Sequence, residues 1–346
     1  MQDRKPERYR PWACTERATH ATLRLMTLPA PPPRIWTLTD DRAGNFNQAQ
    51  ALARAMGMID RHIAVRFPPP WRWLAPRGAV GALHHLHLPD DAVWPDIAIG
   101  CGRQAALALR ALKRQSQVFT VQILDPRIDP RAFDVVVTPT HDQLSGEHVL
   151  TTSGALNAID ALWLRDARTD FAELAALPSP RVGLLIGGPH SEAPITESAL
   201  VSLFEKLALY TKSEGGSLLI CASRRTPIAW RPLLRASALL LGARVWMDAN
   251  DGSNPYRGFL AYADRLVVTA DSVNMLSEAC AVGVPVISFA ADQLRGKLLR
   301  FDRALRHAEQ LCALDDPKPP TSPLRETAHL AERILQRWRA RFANDL

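Results

Sequence analysis

No run of apolar residues in this 346-residue chain approaches the ~18 needed to cross a bilayer as a helix, so the sequence describes a protein that is soluble or rests on a surface. Cysteine is sparse: Cys14, Cys101, Cys221, Cys280 and Cys312 are scattered, odd in number and without a C-x-x-C pair. That pattern excludes a disulfide framework and a cysteine zinc site, and fits reduced thiols in the cytoplasm. No D-x-D set stands in a metal-site context. The nearest, "DAND" (248–251), is discounted, so neither a metal nor a resident cofactor is expected. The 42 basic residues outnumber the 35 acidic ones for a net charge of +7, but they are spread out and carry no RNA-binding signature. The charge favours acidic partners, and with nucleic acid set aside these are nucleotide sugars or an anionic membrane. What is present is ordinary for a globular chain: 47% hydrophobic and 22% charged residues, at a length suited to two domains.

The first 33 residues mix Arg, Pro, Thr and Ala, end in "LPAPPPR" and lack the apolar centre of a secretory signal, so they read as a disordered extension. Met26 lies just ahead of the first expected strand and is a second point at which translation could begin. From Arg34 on, apolar strands alternate with amphipathic helices. "RIWTLT" (34–39), "HIAVRF" (62–67), "PDIAIG" (95–100), "QVFTVQIL" (117–124) and "FDVVVTPT" (133–140) are strands, while 47–57 and 103–114 are helices. "LPSP" within 169–181 breaks the pattern, which then restarts with strands at 181–188, 217–223, 243–247, 264–270 and 284–290. A long helix at 196–216 has Thr196 as its cap, and a basic amphipathic helix closes the chain at 325–342. Strands this apolar between helices predict parallel sheets covered on both faces, in two doubly wound α/β domains facing each other. The expected divisions are an extension at 1–33, an acceptor domain at 34–172, a donor domain at 180–302 and a basic helical tail at 303–346.

Doubly wound sheets bind ligands beyond the carboxyl ends of their strands, so the residues after each strand matter most. "DDRAGNFNQ" (40–48) is oversupplied with polar groups for a turn. Gly44 is expected to let the chain turn, Asn45 or Asn47 to start the helix and Gln48 to ride on its first turn, leaving Asp40, Asp41 and Arg42 for acceptor-side catalysis. "GCGRQAA" (100–106) offers Gly102, Arg103 and Gln104 at a helix start, either as an anion or sugar site or as a tight turn. "QILDPR" (122–127) places Gln122, Asp125 and Arg127 after another strand, with Gln122 and Asp125 expected on the substrate side, although Asp-Pro is also ordinary turn chemistry. In the second half, "IGGPHS" (186–191) supplies Gly187 and Gly188, and "CASRRTP" (221–227) supplies Ser223, Arg224 and Arg225, whose guanidinium groups suit a diphosphate. In "RLVVTADSVNMLSEACAVGVPV" (265–286), Asp271 or Ser272 caps a helix whose start, with Asn274 and Met275, forms an anion cradle. Glu278, two turns in, can accept bonds from both hydroxyls of a ribose. His141 is a lesser candidate for the base, and "FPPPWRWLAPRGAVGALHHLHL" (67–88) is either a packed Trp-Pro loop or a peripheral membrane contact through Trp71 and Trp73.

"WTLTDDRAGNFNQAQALA", "VQILDPR", "FDVVVTPTHD", "LLIGG", "SRRTP", "NPY" and "VVTADSVNMLSEA…GVPV" occur in this order between about Arg34 and Phe301. Together they resemble the ELM1 family, named for a plant mitochondrial-fission factor, whose many bacterial members are regarded as glycosyltransferases. The resemblance implies a GT-B-type fold, two Rossmann-like domains across a cleft, with a last helix that crosses back to the first domain. The 265–286 stretch is also similar to the donor site of lipid-linked-sugar transferases of that fold, which implies nucleotide binding by Ser272 and ribose binding by Glu278. The function to be expected is metal-independent transfer from a nucleotide sugar, as co-substrate, to an envelope glycan or lipid-linked acceptor. The protein would be cytoplasmic, or peripheral on the inner membrane. A sugar-nucleotide epimerase or hydrolase, or a noncatalytic interaction protein on the same fold, are the alternatives.

Overall fold

The computed structural model describes residues 32–57, 61–88 and 93–343, so the expected disordered extension and the internal start at Met26 lie outside the described residues. The first sheet contains β1 (Ile35–Thr39), β2 (Arg61–Ala64), β3 (Ile97–Cys101), β4 (Phe119–Ile123), β5 (Val135–Pro139) and β6 (Val149–Thr152), all parallel, in the order β2-β1-β3-β4-β5-β6. The second contains β7 (Arg181–Ile186), β8 (Ser217–Ala222), β9 (Arg244–Trp246), β10 (Arg265–Thr269) and β11 (Val286–Phe289), also parallel, in the order β11-β10-β7-β8-β9. Every residue of β1, β3, β4 and β5 is buried, because helices cover both faces of the sheet. This is the expected α/β architecture of two Rossmann-like sheets.

Among the described residues, ten α-helices connect and cover the strands. Those of the first half are α1 (Ala43–Ala55), the single turn α2 (Trp71–Leu74) and α3 (Arg103–Gln115). After the crossing come α4 (Ala161–Asp170), α5 (Glu197–Ser213), α6 (Arg231–Leu240), α7 (Tyr256–Tyr262), α8 (Val273–Val282), α9 (Gly296–His307) and α10 (Thr327–Ala343). Two sequence-based boundaries hold at the level of single bonds. Thr196 caps α5 by accepting from Ala199 N–H at 3.2 Å, and Ser272 caps α8 by accepting from Met275 N–H at 3.4 Å. Gly283, at φ +95°, ends α8 in the left-handed conformation that glycine adopts without Cβ strain.

The start of α1 differs from expectation. The helix begins at Ala43, not at Asn47, because Asp40 supplies the upstream acceptor: its carboxylate takes the Arg42 N–H at 3.2 Å and the Asn45 amide at 2.8 Å. Gly44 is therefore inside the helix rather than at a turn, Asn45 is buried and caps nothing, and Asn47 is exposed. Strand β6 and helices α4, α6, α7 and α9 were not anticipated. They are short, and β6 is a four-residue edge strand.

The chain crosses from the first sheet to the second at residues 153–160 and returns at 322–327. The two crossings are bonded to each other. The Glu326 carboxylate accepts from Ser153 N–H at 2.9 and 3.0 Å and from Gly154 N–H at 3.2 Å, Thr327 Oγ1 accepts from Asn157 N–H at 3.2 Å, and Ser277 Oγ of α8 accepts from Ala155 N–H at 2.9 Å. Beyond the return, α10 buries Leu330, Ala331 and Ile334 in the cluster that holds Ile35, Ile97, Phe119 and Val135. The basic terminal helix thus belongs to the first sheet's core, at about 1.5–3 kcal/mol for each large side chain. Removing the carboxylate at the crossing leaves two backbone donors without their acceptor. Glu326→Ala is expected to lower the unfolding free energy by about 1–3 kcal/mol and Glu326→Gln by less, as read by urea denaturation; equal effects of the two would refute this account.

Candidate functional site

The carboxyl ends of the two sheets face one another, and side chains join them across the gap. Gln48 of α1 donates to Asn274 Oδ1 at the start of α8 at 3.4 Å, and a Cβ on Gly44 would overlap the Asn274 amide. Lys297 of α9 pairs with Asp142 at 2.6 Å, and Arg300 donates to the His141 carbonyl at 3.3 Å. Gly44 is needed here for close approach, a role that sequence reasoning assigned to chain reversal.

On the second sheet, three loops are tied together by one carboxylate. Asp271, after β10, has a fully buried side chain. It accepts from Gly188 N–H at 3.1 Å and forms an ion pair with Arg225 Nη2 at 2.5 Å. Gly187 N–H donates to Thr269 Oγ1 at 2.7 Å, and Thr226 Oγ1 donates to the Gly187 carbonyl at 2.6 Å. A Cβ on Gly187 would overlap the Asp271 carboxylate, and one on Gly188 the Arg225 carbonyl, so both glycines are there for approach. Burial pushes the Asp271 carboxyl up; Arg225, the Thr269 hydroxyl and the Gly188 amide pull it down. The pairing at 2.5 Å favours the ionised form, whose second oxygen Oδ1 is buried without a partner. The Arg225 side chain is 48% exposed, so its charge is oriented from behind and open in front. Ser223 shapes this turn by accepting from Arg225 N–H at 3.2 Å, and Arg224 is exposed beside it. Of the expected nucleotide set, Asp271 is a support for Arg225 rather than a helix cap, and Met275 is buried in the hydrophobic core.

Glu278 is partly buried on α8, and its carboxylate accepts from the Tyr256 hydroxyl. Tyr256 N–H donates to Asn254 Oδ1 at 2.9 Å, so the "NPY" stretch is a device that presents a phenol to Glu278. Burial pushes the Glu278 carboxyl up to about 7, against the Tyr256 bond, and burial with Glu278 raises the Tyr256 phenol. Sequence reasoning singled out both segments but had no signal that they meet.

On the first sheet, an open cavity of about 870 Å³ brings together Arg42, Asn45, Gln48, Gly102, Arg103 and Asp125 with Asn274 from the opposite side. It adds Trp73, Arg77, Arg127, His141, Asp142 and Lys297, of which Arg77 and Lys297 drew no functional attention in the sequence. Asp40, Asp41, Asn47, Gln104 and Gln122 do not line it. Asp40 organises the start of α1, and Asp41 pairs with Arg66 at 2.9 Å in an exposed position. Gln104 accepts from Phe67 N–H at 3.1 Å, and Gln122 is fully buried, donating to the Ile123 carbonyl at 2.7 Å. The Trp-Pro loop divides: Trp71 is packed, its indole donating to the Val80 carbonyl at 2.9 Å, while Trp73 is 71% exposed. His141 packs its ring against Phe301, its Nδ1 is buried without a partner, and burial together with Lys297 and Arg300 holds the imidazole below its usual value.

Residues 43–338 match the family model described as mitochondrial fission ELM1. The chain is 34% identical over 280 residues to the mitochondrial fission protein ELM1 of Arabidopsis thaliana, covering 71% of this chain and 65% of the plant protein. It thus spans less than two thirds of that relative's length. It is 26% identical over 300 residues to an uncharacterized protein of Rickettsia prowazekii (strain Madrid E), covering 74% of this chain and 82% of that one. Among solved structures it is similar to the UDP-GlcNAc 2-epimerase of Neisseria meningitidis bound to UDP-GlcNAc, with a TM-score of 0.50, 12% identity, and coverage of 88% of this chain and 99% of that one. At that identity the likeness shows the fold, a GT-B-type pair of Rossmann-like sheets. No helix among the described residues is long and apolar enough to cross a membrane.

The raised Glu278 carboxyl has a measurable consequence. The folded chain keeps this proton from about pH 4.5, where the unfolded chain loses it, up to about 7, so this contribution to stability is complete below the window and is lost as pH rises through about 7. Glu278→Gln, which still accepts from Tyr256, is expected to stabilise the protein by roughly 1–3 kcal/mol at about pH 8 and little at about pH 4. Denaturation curves at both values check this, and a pH-independent effect would sink it.

Proposed function

The chain belongs to the mitochondrial fission ELM1 family, and from that premise we propose that it is a glycosyltransferase, moving a sugar from a nucleotide-sugar co-substrate to a glycan or lipid-linked acceptor. The observation that carries this reading is the half-exposed Arg225 held by the fully buried Asp271 at the carboxyl edge of the second sheet. A cation fixed in advance stabilises charge that develops on a leaving diphosphate without reorganising during the reaction. Arg224 and the first-turn N–H groups of α8 add to it, and the Glu278–Tyr256 pair is the proposed ribose clamp. In the transfer, an acceptor hydroxyl oxygen bonds to the anomeric carbon, the bond from that carbon to the diphosphate oxygen breaks, and the hydroxyl proton passes to a base. We assign proton acceptance to His141, which lines the cavity with an unpartnered Nδ1, in preference to Asp41, which Arg66 engages. Arg42 then positions the acceptor.

The exposed Trp73, Leu74 and Val80 beside Arg72 and Arg77 support peripheral contact with an anionic membrane. Flotation with phosphatidylglycerol-containing vesicles is expected to carry the wild type and not Trp73→Ala, and absence of wild-type binding removes this part of the proposal. The plant relative's name, a mitochondrial fission protein, supports a noncatalytic interaction role as the second reading.

A thermal-shift screen of nucleoside diphosphates and nucleotide sugars tests the donor site. At about 100 times its Kd the true donor adds about 2.7 kcal/mol of stability, a rise of several degrees. Arg225→Ala and Glu278→Ala are expected to lose that rise. If no nucleotide shifts the wild type, the transferase reading fails. Release of free sugar or of a C2 epimer without acceptor would reassign the protein as a hydrolase or epimerase.

A further inference from the structure

The first-sheet cavity carries more positive charge than its own acids neutralise. Arg77, Arg103 and Arg127 line it with no carboxylate within salt-bridge distance among the described residues, and Arg42 has only Asp40, at 3.8 Å. The two acids in the wall are already engaged: Asp142 by Lys297 at 2.6 Å, and Asp125 by the Arg127 N–H at 2.7 Å.

Two of these guanidinium groups are oriented by neutral acceptors. Arg103 donates to the Ala75 carbonyl at 3.2 Å and the Arg72 carbonyl at 3.1 Å, while Arg77 donates to the Arg127 carbonyl at 3.4 Å. Carbonyl acceptors orient an arginine without cancelling its charge. Leu124 and Arg127, both in the wall, stand at φ +70° and +58°, a left-handed conformation that ordinary residues avoid unless their surroundings impose it. The arginines are exposed at their common cavity, and like charges gathered in a concavity focus a positive potential that an entering anion would neutralise.

We propose that this cavity recognises a phosphate or diphosphate group on the acceptor, bound by Arg77, Arg103 and Arg127. The proposal rests on the transferase reading for the word acceptor, and on the cavity alone for the anion. A diphosphate oxyanion matches the paired N–H edge of a guanidinium, and three such groups distinguish it from a neutral glycan. The phosphate can belong to a lipid or to a soluble sugar phosphate, and the exposed Trp73 at the rim is the feature that separates the two.

Isothermal titration with inorganic diphosphate tests the site on the full chain. The double variant Arg77→Ala/Arg127→Ala leaves the structural bonds of Arg103 intact, and is expected to weaken diphosphate binding about tenfold or more, with Arg244→Ala, at an exposed arginine of β9 outside both sites, leaving it unchanged. Circular dichroism and an unchanged melting temperature establish that the double variant is folded. No diphosphate binding to the wild type, equal binding by the folded double variant, or loss of binding in Arg225→Ala alone would each overturn the proposal. The failure of every nucleotide to bind would defeat the donor reading and leave this result standing. Geranyl diphosphate identifies the source: tighter binding than inorganic diphosphate that Trp73→Ala abolishes assigns a lipid, and equal binding assigns a soluble phosphate, both in support of anion recognition.

Discussion

Everything on the second sheet's ligand-facing edge depends on the burial of one charge. A carboxylate taken wholly out of water persists only if partners replace the lost hydration. Asp271 finds them in the Gly188 amide and the Arg225 guanidinium, which come from the loops after two other strands. The loops after β7, β8 and β10 therefore cannot move independently. The glycines at 187 and 188 follow from the same constraint, since the carboxylate and the neighbouring carbonyl occupy the space that side chains would fill. Arg225 acquires a fixed direction from a group that no ligand would touch.

The two edges handle charge differently. On the second sheet the cation is backed by an anion and Glu278 is backed by a phenol, so each group has a partner and an exposed side. On the first sheet Arg77 and Arg103 are backed by carbonyls and stay electrostatically uncompensated. A site backed by a buried counterion is specific in orientation, and a site of uncompensated cations is strong in attraction. Such a division suits two ligands of different kinds.

Most of the framework was legible because burial on both faces makes strands continuously apolar. Stretches such as "IWTLT" and "RLVVT" have no other stable use, and Thr196, Ser272 and Gly283 mark helix ends by local chemistry alone. The short edge strand β6 and the short helices lacked enough residues to show a period. At the site, the segments were legible and the pairings were not. Asp40 read as a catalytic group because its bond to Asn45 forms only when α1 begins at Ala43, and Asp271 read as a cap because its arginine lies 46 positions earlier in the chain. Arg77 and Lys297 were passed over because single basic residues are common on any surface, and only the cavity gathers them.

The two passages between the sheets have a mechanical meaning. A single linker would leave the halves free to twist and to swing. Here the outgoing and returning strands of chain lie side by side, bonded through Glu326, Thr327 and Asn157, and α10 anchors the second of them in the first sheet's core. As long as those bonds hold, the two passages cannot slide or part independently. The contacts made by Gln48 with Asn274 and by Lys297 with Asp142 tie the sheets at further points, away from the passages.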